Sequence, residues 1–220
     1  MIGDKILVNE YHRSAADMVL NYTFDNELSL PFAVSVAGES GSGKSEIAFY
    51  LKELFESEGR KVVILGQDDY FHLPPHSNHR QRKANIKWVG PQEVRLDLMN
   101  KHIMELRDQS RAEIVKPLVH FEDDCIRTEV LRGAFDVIIA EGTYTSLLEC
   151  LDMRAFINRD YRETKKDRLS RNRDQSLENG KDQQLSFLEE VLEIEHRIIS
   201  THKSIANVVI PPPEILLNGK

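Results

Sequence analysis

Cysteine is scarce in this chain: Cys125 and Cys150 are the only two, they sit in unrelated surroundings, and no C-x-x-C spacing joins them. That argues against a disulfide framework and against a thiolate zinc site, and it suits a reducing cytoplasm. Long apolar runs are missing as well, and Met1-Ile2-Gly3-Asp4-Lys5 does not lead a cationic segment into an apolar stretch. The chain is therefore expected to be soluble and unprocessed, with no membrane partner. Basic residues do not dominate either: 29 Lys and Arg against 36 Asp and Glu give a formal charge of −7, which leaves a general affinity for nucleic acid without electrostatic support. Internal repeats and low-complexity linkers are absent. With 220 residues and 40% hydrophobic content, the expectation is one α/β domain over 1–220 whose partners are small molecules. No residue pattern specifies whether it forms a homo-oligomer.

What the sequence does contain is an alternation of strand-like and helix-like segments. Residues 9–22 read as a leading helix, and Pro31 to Ala37 is a short β-branched run suited to a buried strand. Ile47, Ala48, Leu51, Leu54 and Phe55 then recur at helical spacing between Lys44 and Glu58, with Gly59 as a stop. Lys61 to Leu65 is a second strand ending at Asp68-Asp69. Residues 72–90 carry prolines, histidines and basic residues without periodicity, which predicts a long loop or a partly helical excursion of the functional kind. Helical spacing resumes from Pro91 to Arg107, with Pro91 suited to a first turn. Extended segments follow at 112–120 and 136–140, then a short helix through Leu147 and Leu148, a strand at 155–157, a helix at about 184–201 and a last strand at 206–210. Strands alternating with helices imply parallel strands joined by right-handed crossovers.

Between the first strand and its helix lies Gly38-Glu39-Ser40-Gly41-Ser42-Gly43-Lys44-Ser45, which fits G-x-x-x-x-G-K-[ST] at every fixed position. The glycines let backbone N–H groups approach phosphate oxygens, and the following helix offers its positive end. Lys44 is placed to reach the β- and γ-phosphates and Ser45 to bind Mg²⁺, so MgATP is the expected cofactor. The bland alternative is a Gly/Ser turn. Thr164-Lys165-Lys166-Asp167 resembles a guanine-reading box, but it lies in a charged stretch instead of at a strand end and reads as a solvated helix face.

Ligands of open parallel sheets gather at the carboxyl ends of strands, which singles out two acids. Asp68 follows the second strand and could take a proton from a substrate hydroxyl if that strand neighbours the phosphate-loop strand. Glu141 follows the 136–140 strand and could hold Mg²⁺, with Asp68 as a second metal candidate. For both, a cap or turn role is the alternative. Arg162, Arg168, Arg171 and Arg173 lie in a stretch (about 161–182) too polar to be core. It is either a lid whose arginines offset charge on a transferred phosphoryl group or a solvated basic helix. His72, His76 and His79 lack zinc-site spacing and are read as surface or substrate-loop residues. Trp88 either stacks on a planar substrate or packs under its loop.

With Gly38 to Ser45, Gln67-Asp68-Asp69-Tyr70-Phe71, Ile139-Ala140-Glu141-Gly142 and the Arg168 to Asp174 segment in order, the chain resembles the uridine kinase/phosphoribulokinase family over most of 32–210. The resemblance implies a three-layer P-loop kinase fold. It would have a mostly parallel five-stranded sheet, helices on both faces and an arginine-bearing lid around a core of about 31–210. It also implies roles: the residue matching Asp68 is the general base, the one matching Glu141 helps bind Mg²⁺, and those matching Arg168, Arg171 and Arg173 contact phosphates. The family's N-F-D-H-P and P-x-Y-D-F-x-x-H stretches appear here as Asn85-Ile86-Lys87-Trp88-Val89-Gly90-Pro91 and Pro117 to Asp124. Val89 thus falls at the ribose-binding aspartate, and Val119 and Asp124 fall at the side chains that serve uracil. Lost hydrogen-bonding groups cost discrimination, so uridine is not the expected acceptor. Tyr70, Trp88 and Arg127 are carried as acceptor-site candidates. The expected activity is ATP-dependent phosphorylation of a nucleoside- or sugar-like hydroxyl. The alternatives are a uridine/cytidine kinase that reads its base by other residues, and a nucleotide-dependent switch.

Overall fold

Five β-branched or small-residue segments too apolar to face water make the centre of the protein: β1 (Phe32–Gly38), β2 (Val62–Gly66), β5 (Val137–Gly142), β6 (Met153–Ile157) and β7 (Val208–Ile210). They form one parallel sheet in the order β2-β5-β1-β6-β7. The computed structural model describes residues 6–108, 113–164 and 181–218, with backbone alone for 181–185. Because side chains alternate across a strand, the sheet feeds two apolar layers. Val34, Val36, Val62 and Ile139 pack on one face with Tyr11, Ala15, Ile47 and Leu51 from α1 (Glu10–Asp25) and α2 (Lys44–Ser57). Ala33, Leu65, Ile138 and Ala140 pack on the other with Met99 and Ile103 of α4 (Leu96–Arg107) and Ile114 of the β3 strand (Glu113–His120). Helices on both faces of a parallel sheet complete the expected three layers.

The 72–90 excursion takes the partly helical of its two expected forms, and two other segments depart from the sequence expectation. The helix in the excursion, α3 (Pro75–Ala84), has no apolar stripe and buries only Asn78. Polar bonds hold it instead. Asp124 accepts from the His76 and Ser77 N–H groups at 2.8 and 3.3 Å and from the Ser77 hydroxyl at 2.7 Å, while Arg82 pairs with Glu93 at 2.6 Å. Residues 91–107 are not one helix: Pro91–Glu93 is a 3₁₀ turn, Val94 pairs with Phe71 in a bridge, and the Arg95 N–H donates to the Tyr70 carbonyl at 2.8 Å before α4 starts. The second departure is β4 (Cys125–Arg132), a half-exposed strand with no apolar run to announce it, which pairs antiparallel with β3 as a separate hairpin. The chain then runs through α5 (Lys181–Ile199) and closes on the short α6 (Pro213–Leu216). Among the described residues no helix is long and apolar enough to cross a membrane.

Candidate active site

The phosphate loop lies at the carboxyl end of β1 and runs straight into α2. Gly43 is the residue before the helix, in a left-handed conformation (φ 100°), and no side chain caps the first turn. The N–H groups that open α2 are thereby left to an anion, the arrangement that a phosphate fits. A Cβ on Gly43 would come within 2.8 Å of the His12 Nε2, so the residue must be glycine for steric as well as torsional reasons. His12 belongs to α1, where its Nδ1 accepts from the Asn9 N–H and the Asn9 side chain accepts from the His12 N–H, both at 3.2 Å. The leading helix is thus pressed against the loop.

Around that loop stand further contacts that no local motif announced. Lys44 Nζ donates to the Glu39 carbonyl at 2.8 Å, Thr164 Oγ1 to the Ser40 carbonyl at 2.9 Å, and Arg159 Nη1 to the Ser42 carbonyl at 3.3 Å. The Glu39 side chain is buried and its Oε1 meets His196 Nδ1 at 2.6 Å, which ties α5 to the loop. Burial pushes the Glu39 carboxyl up and His196 partly opposes it.

Beside β1 stands β5, and beyond it β2. The second strand is therefore not the neighbour of the phosphate-loop strand, so the condition set for Asp68 is not met in that form; β5, with the apolar run Val137 to Ala140, intervenes and pairs on both edges. Asp68 and Glu141 still converge. The Ser45 hydroxyl points at Glu141 Oε2 from 3.4 Å, and a Cβ on Gly66 would lie 3.3 Å from Glu141 Oε1, so the carboxylate spans the ends of β5 and β2. Burial, and then the Asp68 charge, push the Glu141 carboxyl up to about 7, against the pull of Lys44 and Ser45. Asp68 is raised by burial too, with Lys44 the leading opposing charge. Two buried carboxylates, one of them raised further by the other's charge, beside a lysine and a hydroxyl form a hard-oxygen setting for a divalent cation. Among the described residues no group of three or more His, Cys, Asp or Glu could hold a metal. Mg²⁺ fits this pattern, since it takes one or two carboxylates and completes its shell with phosphate oxygens.

Gly142 fixes the same corner. A Cβ there would approach the Gln67 Cβ to 2.3 Å, and the Gln67 Oε1 accepts from the Tyr144 N–H at 2.6 Å, so β2 and β5 are stitched together just behind the acids. The adjacent aspartate turns the other way. Asp69 is buried, meets Lys116 Nζ at 2.7 Å and accepts from the Val119 N–H at 3.0 Å, anchoring the β3–β4 hairpin.

The acceptor-site candidates divide. Tyr70 is withdrawn from that role: it is fully buried and its hydroxyl meets His102 Nδ1 at 2.9 Å, because the 3₁₀ turn after β2 aims it into the core. Arg127 is exposed on the hairpin and paired with Asp123 at 2.9 Å. Trp88 is half-buried, with its Nε1 donating to Asn78 Oδ1 at 2.8 Å and its ring tilted against His72, so it packs under its loop. Val89 and Val119 are buried, and Asp124 spends its carboxylate on α3. His76 lies against Phe121 and His79 against Phe187, and among the described residues neither belongs to a metal-holding group. Arg168, Arg171 and Arg173 lie outside the described residues; Arg162, just before them, is exposed and pairs with Asp160.

Sequence reasoning missed an assembly of charged side chains that joins three separate elements. Arg82 gives Nε and Nη2 to the buried Glu93 at 2.6 and 3.0 Å, and Nη2 also to Glu195 of α5 at 3.0 Å. Glu93 further accepts from Asn78 Nδ2 and from the Gly90 N–H. A bidentate arginine–carboxylate pair is geometrically specific. Arg82 is also one of the charges that lowers Asp68 against its burial, so the assembly adjoins the two acids.

Comparison with known proteins gives the same outline. A family model described as the phosphoribulokinase/uridine kinase family matches residues 33–210. A bifunctional alpha-galactosidase/sucrose kinase of Mediterraneibacter gnavus is 23% identical over 189 residues, covering 80% of this chain but only 20% of that protein. A uridine kinase of Listeria innocua is 27% identical over 191 residues, covering 82% of this chain and 87% of that one. Among solved structures, D-glycerate 3-kinase from Cryptococcus neoformans aligns at a TM-score of 0.63 and 14% identity, over 88% of this chain and 90% of that one.

Proposed function

The chain belongs to the phosphoribulokinase/uridine kinase family, P-loop phosphotransferases that act on hydroxyl groups, and on that premise we propose ATP-dependent transfer of the γ-phosphoryl group to a hydroxyl of a nucleoside- or sugar-like small molecule. The observation that supports it most is the meeting of Asp68 and Glu141 beside Ser45 and Lys44, where β1, β5 and β2 end.

In this reading Gly38 to Ser45 cradle the phosphates through backbone N–H groups and the start of α2. Lys44 leaves the Glu39 carbonyl for the β- and γ-phosphates, a short swing for a flexible ammonium. Ser45 and Glu141, with Asp68 nearby, would hold Mg²⁺, which when bound neutralises charge on the phosphates. Asp68 accepts the proton of the acceptor hydroxyl as its oxygen attacks. Arg168, Arg171 and Arg173 belong to the reading as arginines that would contact the phosphates. Transfer to a small acceptor also requires water to be kept out, which suits carboxylates that are already partly desolvated.

The test is acceptor-dependent ADP release from purified protein with MgATP and a panel of nucleosides, sugars and polyols. Release that depends on one acceptor class is the expected result. ADP release at the same rate with and without every acceptor would sink the reading.

A further inference from the structure

The 3₁₀ turn that carries Asp68 spans only Gln67–Tyr70, and each of its other three residues is bonded to a different element. Gln67 holds the segment after β5 through the Tyr144 N–H, and Tyr70 holds α4 through His102. Asp69 holds the β3–β4 hairpin, which stands outside the main sheet. Its Oδ1 accepts from the Val119 N–H at 3.0 Å and its Oδ2 from Lys116 Nζ at 2.7 Å, so one carboxylate grips two points along β3. Lys116 also donates to the Pro117 carbonyl at 3.1 Å and pairs at 3.0 Å with Glu129, its partner across the hairpin, which occupies the three donors of the ammonium. Both Asp69 and Lys116 are buried.

We infer that Asp69 is a positioning residue for the transfer: through Lys116 and Val119 it fixes the hairpin to the turn, and thereby fixes where the turn presents Asp68. The inference rests on the kinase reading, in which Asp68 takes the acceptor's proton. A buried ion pair costs about as much in desolvation as it returns in attraction, and an apolar pair of similar volume would stabilise the fold as well or better. Stability alone therefore does not account for charges at this place. Direction does: apolar surfaces can slide on one another, whereas a carboxylate bonded at both oxygens cannot turn without losing a bond. A general base has to lie within hydrogen-bond reach of the proton it takes, and a restraint on the adjacent residue serves that need. At the turn of the hairpin, Asp124 accepts from the His76 and Ser77 N–H groups of α3. Asp69 thus refers the base to a unit of hairpin and α3, and not to the sheet alone.

The experiment measures kcat and the KM for MgATP on the full chain, with the acceptor that gives the fastest ADP release among uridine, D-ribose, D-glucose and D-sorbitol. Asp69→Ala should lower kcat at saturating substrates by at least about thirty-fold, the scale of a misplaced reacting group, with the KM for MgATP held within about two-fold. Asp69→Asn keeps an oxygen for the Val119 N–H and should recover most of the loss, to within about five-fold of the wild type. Val208→Ala, a buried truncation on β7 at the opposite edge of the sheet from β2, controls for lost stability and should leave kcat within about two-fold. A folded Asp69→Ala protein whose kcat falls no further than that of Val208→Ala overturns the inference, as does an Asp69→Asn protein no more active than Asp69→Ala. If Asp69→Ala does not fold, Lys116→Met decides: it removes one of the two anchors and should lower kcat by about five-fold, and a wild-type kcat overturns the inference. Asp68→Asn is run alongside. Wild-type transfer in Asp68→Asn removes the base reading and the inference with it, whereas loss in Asp68→Asn with full activity in Asp69→Ala removes the inference alone.

Discussion

The phosphate loop and the Arg82–Glu93–Glu195 assembly are built by different means. In the loop, eight consecutive residues carry the motif, and the backbone shape is set by glycines such as Gly43, whose left-handed φ of 100° no bulkier residue holds comfortably. In the assembly, Arg82, Glu93 and Glu195 come from α3, the 3₁₀ turn and α5, and their geometry depends on ion pairs between elements. The loop is a local device and the assembly a tertiary one. A local device survives change elsewhere in the chain, whereas a tertiary one shifts whenever any of its elements does.

That contrast can be broken or sharpened at graded cost. Asp68→Asn should lower kcat by about 10³-fold, within the range of general base catalysis, with ATP affinity held to within about two-fold. Parallel turnover and calorimetric nucleotide titration check it; equal loss of both would remove Asp68 from the base role. Glu93→Ala leaves the half-buried Arg82 without its main partner and should destabilise the fold by about 3 kcal/mol, read from denaturant midpoints. Gly43→Ala should cost about 2 kcal/mol and abolish nucleotide binding, and His12→Ala in the same chain should restore part of the stability but not the binding. If the double variant is no more stable than the single one, the contact with α1 is not what forbids a side chain there.

The pH dependence follows from the two acids. Burial holds Glu141 up at about 7 against an ordinary 4.5, so the folded state binds more protons than the unfolded chain between those values. Nucleotide-free stability from this group is fully present below its unfolded value and is lost as pH rises through about 7. Activity should run the opposite way, since metal binding and proton abstraction need ionised carboxylates. Urea midpoints across that range should fall with pH, and less steeply in Glu141→Gln. The smallest effect belongs to Arg127→Ala: an exposed pair with Asp123 is worth under about 0.5 kcal/mol, and turnover should stay within about two-fold.

The same contrast explains what could be read from the residues alone. The glycine loop, β1, β5 and α2 are legible because each is specified by neighbours in sequence. α3 is not, because its burial rests on Asp124 and Glu93 instead of an apolar stripe. β4 alternates half-exposed with exposed residues and buries none, so no apolar face marks it. Tyr70 neighbours Asp68 in sequence, but the 3₁₀ turn that carries both sends its side chain into the core. Arg82 and Glu195 carry no mutual signature, since nothing short-range links residues so far apart.

Thr164 docks on Ser40 and His196 on Glu39, and these two loop residues occupy letters that the phosphate motif leaves open. The two contacts are unequal: Ser40 is held through its backbone carbonyl, which any residue supplies, whereas Glu39 is held through its carboxylate. Drift at position 39 would therefore unfasten α5 from the loop while leaving the loop's backbone N–H groups in place, and so offers a route by which relatives with the same motif could come to differ in turnover.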